Sequence, residues 1–215
     1  MTQACKRLPF FHSVFVKPLL IALSLATMFS SCKPTLYSKL NAKDYEVEMV
    51  SRAGWNANPP REYKKHKPKR ITVHHEGTRL EATDDAARKI RNIQIWGMGP
   101  DRNWVDIPYH FLIAPDGAIY EGRDVSTVGE TATEYDPTGH ILISCLGNYE
   151  EQEFSDEQLD ALIRLISWCA VKYKIPVDSI ATHRDYSKQT TCPGKNLYKY
   201  FENGEIRKEV SRMVL

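Results

Sequence analysis

The segment from His140 to Leu146 (HILISCL) constrains the fold more than any other part of the sequence, because nearly all of its side chains are apolar. A strand with one exposed face alternates apolar and polar side chains, whereas a strand covered on both faces is almost continuously apolar. Covering both faces of a sheet requires layers of other elements. The segment therefore predicts a buried central strand in a layered domain.

Further strand patterns lie on either side of this segment. Residues 71–75 and 180–182 are short runs with β-branched side chains, and residues 107–113 form a longer, mostly apolar run. The turn signal Pro115-Asp116-Gly117 separates that longer run from Ala118-Ile119-Tyr120, which predicts a hairpin. We therefore expect several strands to join the buried one in a sheet.

Helical patterns alternate with these strands. Apolar residues recur at helical spacing after Thr83, which we expect to cap the first helix, and again after Ser155. Ser155 and Gln158 match a capping box, Pro176 ends this second helix, and the tail after Pro193 also has a helical pattern. The alternation predicts an α/β fold class, a single domain with a central mixed β-sheet flanked by helices.

The N-terminal segment has the pattern of an export signal. Lys6, Arg7 and Lys17 supply positive charge, the uncharged apolar run 18–29 follows, and small residues then lead to Cys32. The run is shorter than the roughly 20 residues that a transmembrane helix needs. The segment resembles a bacterial lipoprotein signal, which implies lipidation of Cys32. The alternative is an ordinary secretory signal with a coincidental cysteine.

These patterns divide the chain into three parts. Residues 1–32 are predicted to be a lipoprotein-type signal peptide, residues 33–49 a polar tether, and residues 50–215 the folded domain. The division predicts a membrane-anchored lipoprotein of the bacterial cell envelope, in the periplasm or outer membrane, that contacts the membrane through its lipid anchor. We expect a monomer.

Charge argues against a nucleic-acid partner. The whole chain has 29 basic and 27 acidic residues, a net charge of +2. Without Lys6, Arg7 and Lys17 of the signal, 26 basic residues remain against 27 acidic ones, a net charge of −1. Such a chain lacks the basic field that attracts polynucleotides.

Cysteines and histidines supply the candidate metal ligands. Cys145 and Cys169 lie in the apolar strand and on an apolar helix face, so we expect two buried thiols, with a disulfide between them as the alternative. The His74-His75 pair, His183 and Cys192 remain. Imidazole and thiolate together favour zinc. Because side chains alternate along a strand, one histidine of the pair can face a metal while the other faces away, and the residues alone leave open which one does.

Several segments between Ser51 and Leu197 resemble one known family in the same order. The matching segments are 51–55 (SRAGW), 71–75 (ITVHH), 106–113 (DIPYHFLI), 116–123 (DGAIYEGR), 146–148 (LGN), His183 and 192–194 (CPG). Together they resemble the superfamily of peptidoglycan recognition proteins and type-2 N-acetylmuramoyl-L-alanine amidases, which includes the phage lysozyme-type zinc amidases. The resemblance implies the amidase fold for the mixed sheet and identifies 50–215 as a zinc amidase domain.

The resemblance also implies roles for individual residues. His74, His183 and Cys192 match the family's ligands for a Zn2+ cofactor. Tyr109 matches a tyrosine that assists catalysis. Thr190 matches a second catalytic position, although this sequence has one extra residue between His183 and Cys192 compared with the commonest family pattern.

Other residues have two interpretations each. Arg123 could bind a carboxylate of the stem peptide or form a surface salt bridge. Trp55 and Trp104 could line a substrate groove, and we expect core or rim packing for Trp55. Asp185 could orient a ligand histidine or pair with its neighbour Arg184.

The implied function is hydrolysis of the amide bond between N-acetylmuramic acid and L-alanine in peptidoglycan or in muropeptides. The alternative from another class is a non-catalytic peptidoglycan-binding module. Family members that only bind usually lack the ligand cysteine, so the presence of Cys192 and Tyr109 favours the enzyme. A structural zinc domain would normally supply four protein ligands, and we find three.

Overall fold

The computed structural model describes residues 46–214. The predicted signal peptide, its Cys32 and the tether up to residue 45 lie outside the described residues. Val47 and Met49, at the predicted end of the tether, pack against the core, and Val50 pairs with Tyr120. The folded domain therefore begins a few residues before the predicted boundary at residue 50. Within the described residues, no helix has the length and hydropathy needed to cross a membrane.

One five-stranded sheet forms the centre of the domain, in the order β3-β2-β4-β1-β5. Strands β2 and β3 pair antiparallel as the predicted hairpin, and the other neighbouring strands pair parallel. The sheet is therefore mixed, as predicted. Its strands are β1 (Arg70–His75), β2 (Phe111–Ile113), β3 (Ile119–Glu121), β4 (His140–Cys145) and β5 (Ile180–Thr182). Every residue of the central strand β4 is buried, which confirms the prediction from its apolar run.

Helices cover both faces of this sheet. They are α1 (Ala86–Met98), α2 (Asp156–Tyr173), α3 (His183–Tyr186), α4 (Lys195–Glu202) and α5 (Glu205–Val214). Phe111 and Ile113 share the larger core cluster with apolar residues of α2 and α5. Leu112, which points to the other face, packs in a second cluster with α1 and Trp55. Trp55 is buried and its Nε1 donates to the carbonyl of Glu121, so it is a core residue as expected.

Two helix starts differ from the sequence prediction. Asp85, not Thr83, caps α1, because its carboxylate accepts a hydrogen bond from the backbone N–H of Arg88. Ser155 caps α2 as predicted, by accepting from the backbone N–H of Gln158. The reciprocal half of the capping box is absent, because the buried Gln158 side chain instead donates to the carbonyl oxygens of Ile113 and Leu146.

Strand β1 determines which histidine faces each layer. Ile71 and Val73 point into the larger core, so the alternation of a strand directs Thr72 and His74 to the face covered by α1. His74 lies near the carboxyl end of β1, where loops from several elements meet. Cys145 and Cys169 are buried and free, which confirms the expected thiols and excludes the alternative disulfide.

Candidate metal centre

Three side chains converge at the carboxyl end of β1. His74, His183 and Cys192 are all buried, and each offers a ligand atom within 4.8 Å of the other two. Cys192 Sγ and His74 Nδ1 lie 3.8 Å apart. A tetrahedral zinc ion with its usual bond lengths would hold such atoms about 3.5 Å apart. The donor types and their spacing therefore fit zinc.

Different elements supply the three candidate ligands. His74 ends the buried part of β1, and His183 is the first residue of α3, directly after β5. Cys192 lies in the loop that follows α3. The backbone carbonyl of Cys192 accepts a hydrogen bond from the backbone N–H of Arg184. Gly194 lets this loop approach the backbone of Tyr149, in the segment after β4. Its φ is +86°, and a Cβ at this position would lie 2.4 Å from the carbonyl carbon of Tyr149. The loop thus folds back onto the start of α3.

His75 faces away from the cluster. Its Nδ1 accepts a hydrogen bond from the backbone N–H of Tyr149, and its own backbone N–H donates to Cys192 Sγ at 3.3 Å. The structure therefore answers the question that the strand pattern left open. His74 is the ligand candidate, and His75 supports the sulfur through its backbone.

Burial shifts the pKa of all three candidate ligands. It lowers the pKa of His74 well below its usual value, and the neighbouring His183 lowers it further. Burial lowers the pKa of His183 to about 4, although Glu134 opposes this shift. Burial raises the pKa of the Cys192 thiol to about 12, while the hydrogen bond from the His75 backbone lowers it. At neutral pH both ligand imidazoles are therefore neutral, the form that binds metals.

Tyr109 lies beside this cluster. Its ring centroid is 5.4 Å from that of His74. Burial raises the pKa of its hydroxyl, and the nearby charges of Cys192 and Glu76 raise it further. The hydroxyl therefore keeps its proton at neutral pH and can donate a hydrogen bond. The adjacent His110 is buried elsewhere, with Nε2 2.8 Å from the Thr127 carbonyl, so its contacts are structural.

A cleft of about 420 Å³ opens over these residues. It is lined by His74, Tyr109, His183 and Thr190, with α1 forming one wall and Trp96 and Trp104 farther along. The size is within the usual range for small-ligand sites, roughly 300–1,000 Å³. Thr190 also lines the cleft, and its Oγ1 accepts from the backbone N–H of Cys192 at 3.0 Å. Trp104 also lines this cleft, which agrees with the interpretation that it lines a substrate groove.

Two residues that the sequence does not single out contact the candidate ligands. Thr133 Oγ1 lies 2.7 Å from His183 Nε2, and the Tyr135 hydroxyl lies 3.3 Å from His74 Nε2. Both are in the loop between β3 and β4, which has no regular pattern in the sequence. Only the folded chain brings this loop to histidines 50 and 61 residues away.

The structure corrects the interpretation of Arg123. Its side chain is fully buried, and its guanidinium donates to the carbonyl oxygens of Asp106, Ile107 and Val128 and pairs with Glu130. All of these partners are groups of the same domain. Arg123 therefore holds the segment before β2 to the loop after β3, and neither a substrate contact nor an exposed salt bridge describes it.

Asp185 also has a role that the sequence did not predict. Its Oδ2 accepts from the backbone N–H and the hydroxyl of Thr182, at 2.8 and 2.7 Å, and so caps α3. Arg184 lies over the ring of Tyr198 instead of pairing with Asp185. Asp185 thus fixes the backbone at the start of α3, where His183 lies, and does not orient the imidazole ring directly.

Known proteins share this sequence pattern and this fold. The family described as N-acetylmuramoyl-L-alanine amidase matches residues 63–195, more than half of the chain. Peptidoglycan-recognition protein SD of Drosophila simulans is 34% identical over 159 residues, covering 71% of this chain and 83% of that protein.

Solved structures agree. One is peptidoglycan recognition protein LE in complex with tracheal cytotoxin, a monomeric diaminopimelic acid-type peptidoglycan. It is 28% identical, with a TM-score of 0.65, and the match covers 72% of this chain and 92% of that one. The endolysin N-acetylmuramoyl-L-alanine amidase LysCS from Clostridium intestinale is 26% identical, with a TM-score of 0.60 and coverage of 78% and 97%. The chain therefore belongs to the superfamily of type-2 N-acetylmuramoyl-L-alanine amidases and peptidoglycan recognition proteins.

Proposed function

We propose that this protein is a zinc-dependent amidase that cleaves the bond between N-acetylmuramic acid and L-alanine in peptidoglycan or muropeptides. The observation that carries the proposal is the buried cluster of His74, His183 and Cys192, whose two histidines line one cleft together with Tyr109. The description of the matched family and the amidase among the structural relatives support this reaction. Relatives named for recognition make binding without hydrolysis the alternative.

The ligand number favours catalysis over a structural metal. His74, His183 and Cys192 would hold the ion, and the cluster has three members among residues 46–214. Structural zinc sites normally use four protein ligands, whereas catalytic sites use three and leave one position open. When bound, zinc would polarise the amide carbonyl and lower the pKa of a coordinated water.

Two hydroxyl groups of the cleft can stabilise charge on the substrate. Tyr109 keeps its proton because burial raises its pKa, so it can donate to the carbonyl oxygen as negative charge develops there. The Thr190 hydroxyl accepts from the backbone of Cys192 and retains its own hydrogen for a second donation. Both groups thus supply a donor hydrogen in the cleft that His74 and His183 line.

The cleft also suits a substrate larger than the reacting amide. It extends from the ligands along α1 to Trp96 and Trp104, whose rings meet edge to face at 5.5 Å. Trp96 is half exposed, which is unusual for so large an apolar side chain. The complex of the related recognition protein LE with a monomeric peptidoglycan supports a muropeptide as the occupant.

Hydrolysis of a purified muropeptide tests the proposal. Wild type, Cys192→Ala, Tyr109→Phe and a chelator-treated sample would be compared by mass spectrometry, with Tyr63→Phe as a control outside the cleft. We expect release of a peptide with a free N-terminal L-alanine by wild type and control only, with zinc restoring the chelated sample. Retention of muropeptide and zinc without cleavage would instead establish a binding module.

We also propose that the chain is exported and anchored in the bacterial cell envelope through Cys32. The charged start, the apolar run and the small residues before Cys32 support this. Fatty-acid labelling and membrane fractionation of wild type, Cys32→Ala and the control Cys5→Ala would test it. Labelling that survives in Cys32→Ala would contradict the assignment.

A further inference from the structure

The loop between β3 and β4 brings one hydroxyl group to each ligand histidine. Thr133 Oγ1 lies 2.7 Å from Nε2 of His183, and the Tyr135 hydroxyl lies 3.3 Å from Nε2 of His74. We infer that Thr133 and Tyr135 are positioning residues that select the nitrogen with which each histidine binds the metal. This inference rests on the metal site of the proposed function and identifies residues that the ligand set does not include.

The geometry distinguishes an outer and an inner nitrogen on His74. Its Nδ1 lies 3.8 Å from Cys192 Sγ and so faces the cluster, while its Nε2 faces Tyr135. A neutral imidazole carries one N–H and one lone pair. A proton on Nε2 that is donated to the Tyr135 hydroxyl leaves the lone pair on Nδ1, directed at the cluster.

The same division holds for His183. Its Nε2 is occupied by the short contact with Thr133, so Nδ1 is the nitrogen left for the metal. Ligand histidines in metalloproteins commonly donate their second N–H to a fixed acceptor, which sets both the tautomer and the ring orientation. Thr133 therefore acts on His183 as Tyr135 acts on His74.

The loop is itself held in place from both sides. Thr133 bonds to Thr131, with 2.9 Å between the two hydroxyl oxygens. Glu134 accepts from the Ser187 hydroxyl at 2.6 Å and from the backbone N–H of Lys188 at 3.2 Å. Since residues 187 and 188 directly follow α3, the loop is tied to the element that begins with His183.

The ring of Tyr135 is fixed as well. It stacks on Tyr186 at a centroid distance of 5.8 Å, and it lies 5.2 Å from the imidazole of His183. One aromatic side chain thus touches both ligand histidines. The two hydroxyl groups are therefore presented by a packed loop, as orientation of a metal ligand requires.

Zinc affinity of the purified full chain tests the inference. Thr133→Val and Tyr135→Phe remove one hydroxyl each, and we expect each change to weaken zinc binding by about 10- to 100-fold in chelator competition. Thr133→Ser restores the hydroxyl and should restore affinity. The matched controls are Thr138→Val, in the same loop, and Tyr186→Phe, which packs on Tyr135 while its own hydroxyl faces Arg70. Wild-type affinity in both test variants would overturn the inference.

A second measurement needs no variant. Nitrogen NMR shifts of the imidazoles in the metal-free wild type report which nitrogen carries the proton. We expect the proton on Nε2 in both His74 and His183, and the opposite tautomer in either would overturn the inference for that ligand. Wild-type protein that binds no zinc would contradict the proposed function, whereas Nε2–H tautomers with normal zinc binding and no hydrolysis would support this inference and contradict only the amidase reaction.

Discussion

The Sγ atom of Cys192 lies 3.8 Å from the Nδ1 atom of His74, although 118 residues separate them in the chain. Parallel pairing of β1 with both β4 and β5 places His74 and the start of α3 at one edge of the sheet. The loop after α3 then returns Cys192 to that edge. The topology of the sheet thus brings the two candidate histidines together, and a loop adds the candidate cysteine.

Replacing Cys192 should separate metal binding from folding. We expect Cys192→Ala to weaken zinc binding by more than about 100-fold, since even an outer hydrogen bond to a ligand is worth 10- to 100-fold. The metal-free form should lose only about 1 kcal/mol of stability to urea, because Cys192 is buried in a loop and its Sγ accepts the backbone N–H of His75.

The matched control is Cys169→Ala. Cys169 is buried in the larger core on α2, so its loss should lower the free energy of unfolding by about 1 kcal/mol without changing zinc affinity. Isothermal titration and urea denaturation of both variants measure the two effects. Equal zinc affinity in wild type and Cys192→Ala would remove Cys192 from the ligand set.

The sequence predicts those parts of the fold in which the local sequence pattern and the tertiary contacts favour the same structure. The apolar run of β4 has one explanation, burial on both faces, and the structure confirms it. Gln158 shows the opposite case. Its position three residues after Ser155 satisfies a capping box, but its buried amide finds acceptors in the carbonyl oxygens of Ile113 and Leu146, and leaving that amide without a partner would cost about 1–3 kcal/mol.

The candidate site likewise contains residues that the sequence predicts and residues that it does not. His74, His183 and Cys192 were found because imidazole and thiol groups are chemically distinctive and match a family pattern. Thr133 and Tyr135 were not found, since a threonine and a tyrosine in an irregular loop have no distinguishing pattern. Their role depends on distances that only the folded chain sets.

Gly122 is required for the position of Tyr109. A Cβ at Gly122 would lie 2.1 Å from the carbonyl oxygen of Tyr109, a backbone atom that cannot move aside alone. We expect Gly122→Ala to lower the free energy of unfolding by roughly 1–3 kcal/mol, the usual cost of overpacking, and to reduce kcat by displacing Tyr109. Gly204→Ala, where a Cβ meets open space but φ is +76°, should destabilise the fold with kcat unchanged. Unaltered kcat in Gly122→Ala would show that Tyr109 tolerates the shift.

Arg123 should matter for stability and not for substrate affinity. Arg123→Met leaves the buried carbonyl oxygens of Asp106, Ile107 and Val128 and the carboxylate of Glu130 without their donor. A buried carbonyl oxygen left without a donor costs about 1–3 kcal/mol, so the loss of three such hydrogen bonds should give a much lower urea midpoint.

The comparison for Arg123 is a surface arginine. Arg102→Met removes a guanidinium that lies over the exposed Trp96 ring, and we expect a change within about 0.5 kcal/mol. The KM for a muropeptide should be the same for folded Arg123→Met as for wild type. A raised KM with unchanged stability would return Arg123 to the substrate site.

His110 should make the domain sensitive to acid. Burial lowers the pKa of its imidazole to about 3, and the charge of Arg123 adds to this, while the hydrogen bond to the Thr127 carbonyl opposes it. In the unfolded chain the pKa is about 6.5. Between these values the unfolded chain binds a proton that the folded protein does not, so stability falls as the pH decreases from about 6.5 towards 3, by up to about 1.4 kcal/mol per pH unit. Above this window the contribution is constant.

Comparison with His110→Gln isolates this contribution. The variant should be less stable than wild type at neutral pH, because Gln can still donate to Thr127 and accept from Leu142 but loses the imidazole ring, which stacks on His66 at a centroid distance of 5.9 Å. Its stability should then fall less steeply between pH values of about 6.5 and 3. Urea denaturation over this range measures both slopes, and NMR of the wild type follows the imidazole directly. Equal slopes, or protonation of His110 near its ordinary pKa, would show that the buried imidazole is not the group responsible.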